Sequence, residues 1–147
     1  MINTKKIKIA LIGAGNMAKE YLEILSKNKN VVLIGIYSRT FSKSEFLKKK
    51  YNIKYNSKSI TDLYKITKPN IVLVTVPGDV MLKTTLKLIN FPWLIFIEKP
   101  PGLNFLEFKK LLKISNLKKK KIYVGMNRRY FSSTLKLVEK LKFSKSK

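Results

Sequence analysis

The sequence predicts a single α/β domain with a doubly wound, mainly parallel sheet, and three observations carry that expectation. Short runs rich in valine and isoleucine alternate with amphipathic stretches along the chain. The apolar runs show little polar alternation, as strands covered by helices on both faces do. The first run ends in a glycine-rich turn that opens directly into a helical pattern. At 147 residues the chain suits one domain, and a domain of that size buries about two-thirds of the surface its unfolded form exposes.

The elements follow in order. "IKIALIG" (7–13) is the first strand and 17–26 the first helix; "VVLIGIYS" (31–38) is the second strand. The helix over 42–51 is opened by Ser42 with Glu45 three residues later, a capping box in which each side chain satisfies a backbone amide at the other position. A weaker strand, "NIKYN" (52–56), precedes a short helix over 59–67. "NIVLVTVP" (70–77) leads to a helix over 80–89, and "WLIFIEK" (93–99) to a fifth helix opened by Asn104 with Glu107. That helix has Phe105, Phe108, Leu111, Leu112 and Ser115 as its apolar face. "KIYVGMN" (121–127) is the last strand, and Ser132 or Ser133 caps a last helix carrying Leu135, Val138 and Leu141. No internal repeat or low-complexity linker interrupts the series. Strands alternating with helices in this way imply parallel crossovers, which right-handedness restricts to few topologies.

Composition removes several chemistries. With no cysteine there are no disulfides, thiolate metal sites or cysteine nucleophiles. With no histidine, the commonest general base and metal ligand are gone too, and no metal site is expected. Proton transfer falls to lysine, tyrosine, a carboxylate or another chain. "MINTKKIKIALIG" has the early lysines of a signal peptide, but its apolar run breaks at Gly13 and Gly15 with no cleavage site after it, so it reads as a strand. No stretch reaches the ~20 apolar residues of a membrane span. A cytoplasmic protein with no membrane partner is expected.

The formal net charge is +24, the balance of a nucleic-acid binder. Yet the 32 basic residues are all lysine except Arg39, Arg128 and Arg129, and they are spread along the chain. Arginine is the residue for bidentate base and phosphate contacts. The charge therefore reads as a solvated, compositionally biased surface, and specific nucleic-acid binding is not expected.

Gly13-Ala14-Gly15-Asn16-Met17-Ala18 is a G-x-G-x-x-A sequence between the first strand and the first helix, the place of the dinucleotide fingerprint in a Rossmann fold. Gly13 allows the tight turn, Gly15 lets backbone approach a pyrophosphate, and the helix start at Asn16 and Met17 offers amides to the anion. The second strand ends 23 residues beyond Gly15, where an NAD site places Asp or Glu on the ribose 2'-hydroxyl. Here the sequence has Ser38-Arg39-Thr40: Arg39 can pair with a 2'-phosphate and the two hydroxyls can donate to it, so NADP is the preferred cofactor and NAD the alternative. Thr75 and Pro77 end the fourth strand at the same carboxyl edge, either lining the nicotinamide side or merely making a turn. Glu98 and Lys99 close an otherwise apolar strand there, and charges so placed need either water or a function.

Together "IGAGNMA", "YSRT", "TVP", "IEKPPGLN" and "GMNRRY" resemble, in order and spacing, the N-terminal half of the Gfo/Idh/MocA family of NAD(P)-dependent oxidoreductases, which act mostly on sugars, polyols and their derivatives. The likeness covers residues 5–143, and the E-K-P sequence on the fifth strand is its most specific part. It implies a nicotinamide cofactor, with Glu98 near the nicotinamide ribose and Lys99 reaching the reacting hydroxyl or carbonyl. At a partly desolvated strand end, Lys99 could move the proton that accompanies hydride transfer or stabilise alkoxide charge. Asn127 and Arg128, in a sequence like the family's N-R-R-F/Y, would border the cleft on the substrate side. The family continues into a second α/β domain that binds substrate, covers the cleft and commonly forms the oligomer contact; that half is not in this sequence.

The resulting expectation is a dinucleotide-binding domain over residues 1–130. A terminal helix and basic tail, 131–147, would lead toward a second domain. Hydride transfer would then need a second-domain polypeptide or a homo-oligomer. A catalytically silent NAD(P)-binding module and, less favoured, a basic nucleic-acid-binding protein are the alternatives. The last helix is expected to leave Leu135, Val138 and Leu141 without their usual cover.

Overall fold

The computed structural model describes residues 6–144, and in it six apolar runs pair into one sheet whose strands are all parallel. They are β1 (Ile7–Ile12), β2 (Val31–Tyr37), β3 (Tyr55–Ser57), β4 (Ile71–Val74), β5 (Leu94–Ile97) and β6 (Ile122–Val124). Helices α1 (Asn16–Leu25), α2 (Phe41–Lys50), α3 (Ile60–Thr67), α4 (Gly78–Leu88) and α5 (Phe105–Leu117) join them in turn. A 3-10 turn at Asn127–Tyr130 leads into α6 (Ser132–Ser144). The strand order is β3-β2-β1-β4-β5-β6. The chain reverses its direction of travel across the sheet between β1 and β4, which opens a crevice at their carboxyl ends.

The lack of polar alternation in the strands has a simple packing cause. Successive strand side chains point to opposite faces, and here both faces are covered. Ile9, Leu11 and Leu73 pack with Ala18 and Leu22 of α1 and Leu47 of α2 on one side. Ala10, Ile12, Val72 and Val74 pack with Leu63 of α3, Met81 and Leu88 of α4 and Leu111 of α5 on the other. Trp93 anchors the second core: it stacks among Tyr64 and Phe91, and its indole N–H donates to the Leu88 carbonyl at 2.9 Å.

Several elements differ from expectation. The weak third strand lies further on, at Tyr55–Ser57, because Asn52 adopts a left-handed conformation (φ 52°) that turns the chain first. β4, β5 and β6 each end before the residues expected to finish them, since those residues have already left the ladder for the loops at the carboxyl edge of the sheet. The capping box of α2 does not form. Thr40 occupies the N-cap, Ser42 is already helical, and Glu45 instead accepts from Asn56 Nδ2 at 3.0 Å and lies 3.5 Å from Lys48 Nζ. On α5 only Leu111 and Ser115 of the expected apolar face are buried, while Phe105 is 67% exposed and Phe108 and Leu112 are also exposed. The helix has apolar residues on more than one side, and packing against α4 and the sheet selects one of them. Leu135, Val138 and Leu141 are exposed on α6, which begins at Ser132. The end of the expected basic tail, residues 145–147, lies outside the described residues.

Ser59 and Asn104 do cap their helices, accepting from the Asp62 amide at 3.0 Å and the Glu107 amide at 3.0 Å. Ser59→Ala is therefore expected to cost about 1 kcal/mol, whereas Ser42→Ala should cost nearly nothing. Urea denaturation midpoints of the two variants check the contrast.

Candidate functional site

The turn after β1 contains two glycines that do different jobs. Gly13 sits at φ +110°, donates its N–H to the Tyr37 carbonyl at 2.9 Å, and is so close to β4 that a Cβ would lie 2.7 Å from Thr75 Oγ1 and 2.9 Å from the Thr75 carbonyl carbon. Gly15 is extended (φ −86°, ψ −167°), and a Cβ there would meet nothing within 4 Å. Gly13 thus serves the fold, while Gly15 keeps open the space in front of α1. No side chain caps α1, and its first bond from outside runs from the Lys19 N–H to the Gly15 carbonyl at 3.3 Å. The amides of Asn16, Met17 and Ala18 precede that bond, so they have no intrahelical acceptor and stand at the positive end of the helix dipole.

Asn16 and Met17 line a cleft of about 630 Å³ at the carboxyl edge of the sheet. Ser38, Arg39 and Thr40, from the loop after β2, form one end of it with Lys43 of α2. Ser38 Oγ accepts from the Thr40 amide at 3.3 Å, which leaves its O–H free to donate. Thr75 and Pro77 line the middle, and Lys83 and Lys87 of α4 add positive charge to the wall. Glu98 and Lys99 close the cleft beyond β5, and Glu98 is the only carboxylate among the described residues lining it.

Glu98 is 4% exposed, and donors hold both its oxygens. The Lys99 amide donates to Oε2 at 3.1 Å and the Tyr21 hydroxyl donates to Oε1. Burial, and then the Glu98 carboxylate, push the Tyr21 phenol well above its ordinary range. Tyr21 is the residue that sequence reasoning missed. Its signal was its place in the buried stripe of α1 beside Ala18 and Leu22, where a tyrosine must find a partner for its hydroxyl. Lys99 departs from expectation in the other direction: it is exposed on the rim, so the partial desolvation expected of it is absent from this domain. The Lys99–Pro100 peptide is cis. Asn127 and Arg128 are exposed in the 3-10 turn and stand outside the residues that line the cleft.

A family model described as the oxidoreductase family with an NAD-binding Rossmann fold, Gfo/Idh/MocA, matches residues 7–126. The chain belongs to that family. No curated protein sequence matches it significantly. Among solved structures, scyllo-inositol dehydrogenase from Lactobacillus casei with bound NAD(H) and scyllo-inositol has a TM-score of 0.85 at 20% identity, over 96% of this chain and 42% of that one. The WlbA dehydrogenase from Chromobacterium violaceum, in complex with NADH and UDP-GlcNAcA, has 0.84 at 21% identity, over 92% and 39%. Myo-inositol 2-dehydrogenase from Lactobacillus plantarum has 0.78 at 22% identity, over 88% and 39%. At such identities the likeness is one of fold, and the chain spans 39% to 42% of these relatives' lengths.

As the NAD-binding domain of a Gfo/Idh/MocA protein, the chain has a cleft that fits a dinucleotide. The open space at Gly15 lies where a diphosphate would reach the free α1 amides, and the volume falls within the usual range for ligand clefts. Among the described residues, no helix is long and apolar enough to cross a membrane, and no group of three or more carboxylates is placed to hold a metal ion.

Proposed function

We propose that this Gfo/Idh/MocA domain is the NADP-preferring cofactor half of an oxidoreductase that moves a hydride between the dinucleotide and a hydroxyl-bearing or carbonyl carbon of a sugar, polyol or related compound. The observation that carries the reading is one cleft in which uncapped α1 amides, the Arg39 end and the Glu98–Lys99 strand end converge. The dinucleotide, when bound, supplies the hydride donor or acceptor. Gly13 and Gly15 shape the turn, and the backbone of Asn16 and Met17 holds the diphosphate. Ser38, Arg39 and Thr40 take the 2'-phosphate, a role in which Lys43 assists by charge. Thr75 and Pro77 flank the middle of the ligand, and Glu98 accepts from the nicotinamide ribose.

Lys99 is the catalytic residue in this reading. Oxidation of a hydroxyl releases a hydride from carbon and a proton from oxygen, and the Lys99 amine takes that proton; in reduction its ammonium returns it and stabilises the alkoxide. An exposed lysine is screened by water, so this role requires cover. A second domain following α6, a partner polypeptide or a second copy of the chain would provide it and would bring Asn127 and Arg128 to the substrate side. We place the boundary at residue 130, with 131–147 leading away from the cofactor domain. The exposure of Lys99 also favours a second reading, a catalytically silent dinucleotide-binding module. Addition of a second-domain polypeptide from the family separates the two: turnover of a polyol with NADP supports the first, and binding without turnover the second.

The cofactor assignment is tested by fluorescence titration with NADPH and NADH. NADPH is expected to bind more tightly, and Arg39→Ala to weaken NADPH about tenfold while changing NADH less than about twofold, as loss of one charge-assisted phosphate contact predicts. Equal affinities, unaltered by the substitution, would remove the NADP preference.

A further inference from the structure

We propose that Tyr21 is a positioning residue for the nicotinamide end of the cleft: its hydroxyl fixes the Glu98 carboxylate so that the remaining lone pairs face ribose donors. The inference rests on the dinucleotide reading of the cleft. Its own support is geometric. An ionised carboxylate has about four acceptor positions on its two oxygens. At Glu98 one on each oxygen is occupied from the protein side, Oε1 by the Tyr21 hydroxyl and Oε2 by the Lys99 amide at 3.1 Å. Two donors on different oxygens set the plane of the group as well as its place, and the other positions stay available.

The surroundings hold this arrangement in turn. The Tyr21 ring meets Phe96 of β5 edge-on, with centroids 6.2 Å apart and planes at 75°, so the phenol has little freedom to swing away. Gly125, just beyond β6, leaves room for the pair: a Cβ there would stand 3.0 Å from both Glu98 Oε1 and the Tyr21 hydroxyl oxygen. The charged groups near the phenol are Glu98 and, on α1 itself, Glu20, both of which favour its protonated, donating form. Tyr21 also lies one turn beyond Met17 on the helix whose first residues line the cleft. One rigid helix therefore sets the distance between the diphosphate site and the carboxylate, which a loop could not do as well.

The test separates the two halves of the ligand. Tyr21→Phe keeps the ring and removes only the hydroxyl; NADPH and 2',5'-ADP, which has the adenine half alone, are titrated against wild type and variant. NADPH is expected to bind about tenfold more weakly and 2',5'-ADP to change less than about twofold, because only the nicotinamide half meets Glu98. Gly125→Ala, which crowds the same two oxygens, should produce the same split and serves if the first variant folds poorly. Unchanged NADPH affinity, or equal weakening of both ligands in both variants, would overturn the positioning role. Wild-type protein that binds neither NADPH nor NADH would instead overturn the dinucleotide reading, and the role of Tyr21 with it.

Discussion

Gly15→Val is expected to leave the domain folded and to weaken dinucleotide binding at least about a hundredfold, the equivalent of roughly 3 kcal/mol. The backbone there is extended, a conformation valine adopts readily, and a Cβ would meet no atom within 4 Å. The fold therefore has no need of a glycine at this position. The empty volume is where a diphosphate must come to reach the amides of Asn16 and Met17, and an isopropyl group would occupy it. Thermal melts beside NADPH titration check both halves: a melting temperature near wild type with binding lost is the expected pair. Retained binding would show that the ligand does not approach along α1.

Gly13→Ala should behave in the opposite way and lower stability by about 3 kcal/mol or more. Two costs combine: a non-glycine residue at positive φ costs about 1–3 kcal/mol, and overpacking costs a similar amount. The overpacking is severe because the added methyl would stand 2.9 Å from the backbone carbonyl carbon of Thr75, which directly follows β4 and is tied to β1 by its amide, donating to the Ile12 carbonyl at 2.8 Å. Backbone tied to the end of the sheet in this way cannot swing aside as the end of a side chain can. For a domain of this size the loss corresponds to a fall in Tm of about 10 °C. A variant that melts with wild type would mean that β4 shifts to admit the methyl group.

Taken together, the two substitutions divide one short motif into a position that builds the turn and a position that leaves space. Motif order assigns the tight turn to Gly13 and a close ligand approach to Gly15, and the structure adds what stands against each: Thr75 against one and open space against the other.

The same division runs through the rest of the chain. Valine- and isoleucine-rich runs, the cap at Asn104 and the glycine turn act over a few residues, so they are legible locally and predict the alternation of strands and helices. The charged Glu98-Lys99 end of an apolar strand was legible for the same reason, as was the absence of a carboxylate at the end of β2. The capping box of α2 misled because Glu45 had a competing partner, Asn56, that local spacing does not reveal. The apolar face of α5 misled because more than one side of that helix is apolar and its neighbours chose among them.

By itself, then, the sequence determined the fold class, the order of elements and the motif positions of a Gfo/Idh/MocA dinucleotide-binding domain, since periodicity and turn chemistry are short-range effects. Only the tertiary structure decided that the sheet is parallel throughout, that Lys99 stands exposed, and that Tyr21 holds Glu98 across 77 residues of chain with Gly125 making room. Such contacts join residues from α1 and from just beyond β5 and β6. They depend on how close those elements come when both faces of the sheet are packed, a distance that no local pattern encodes.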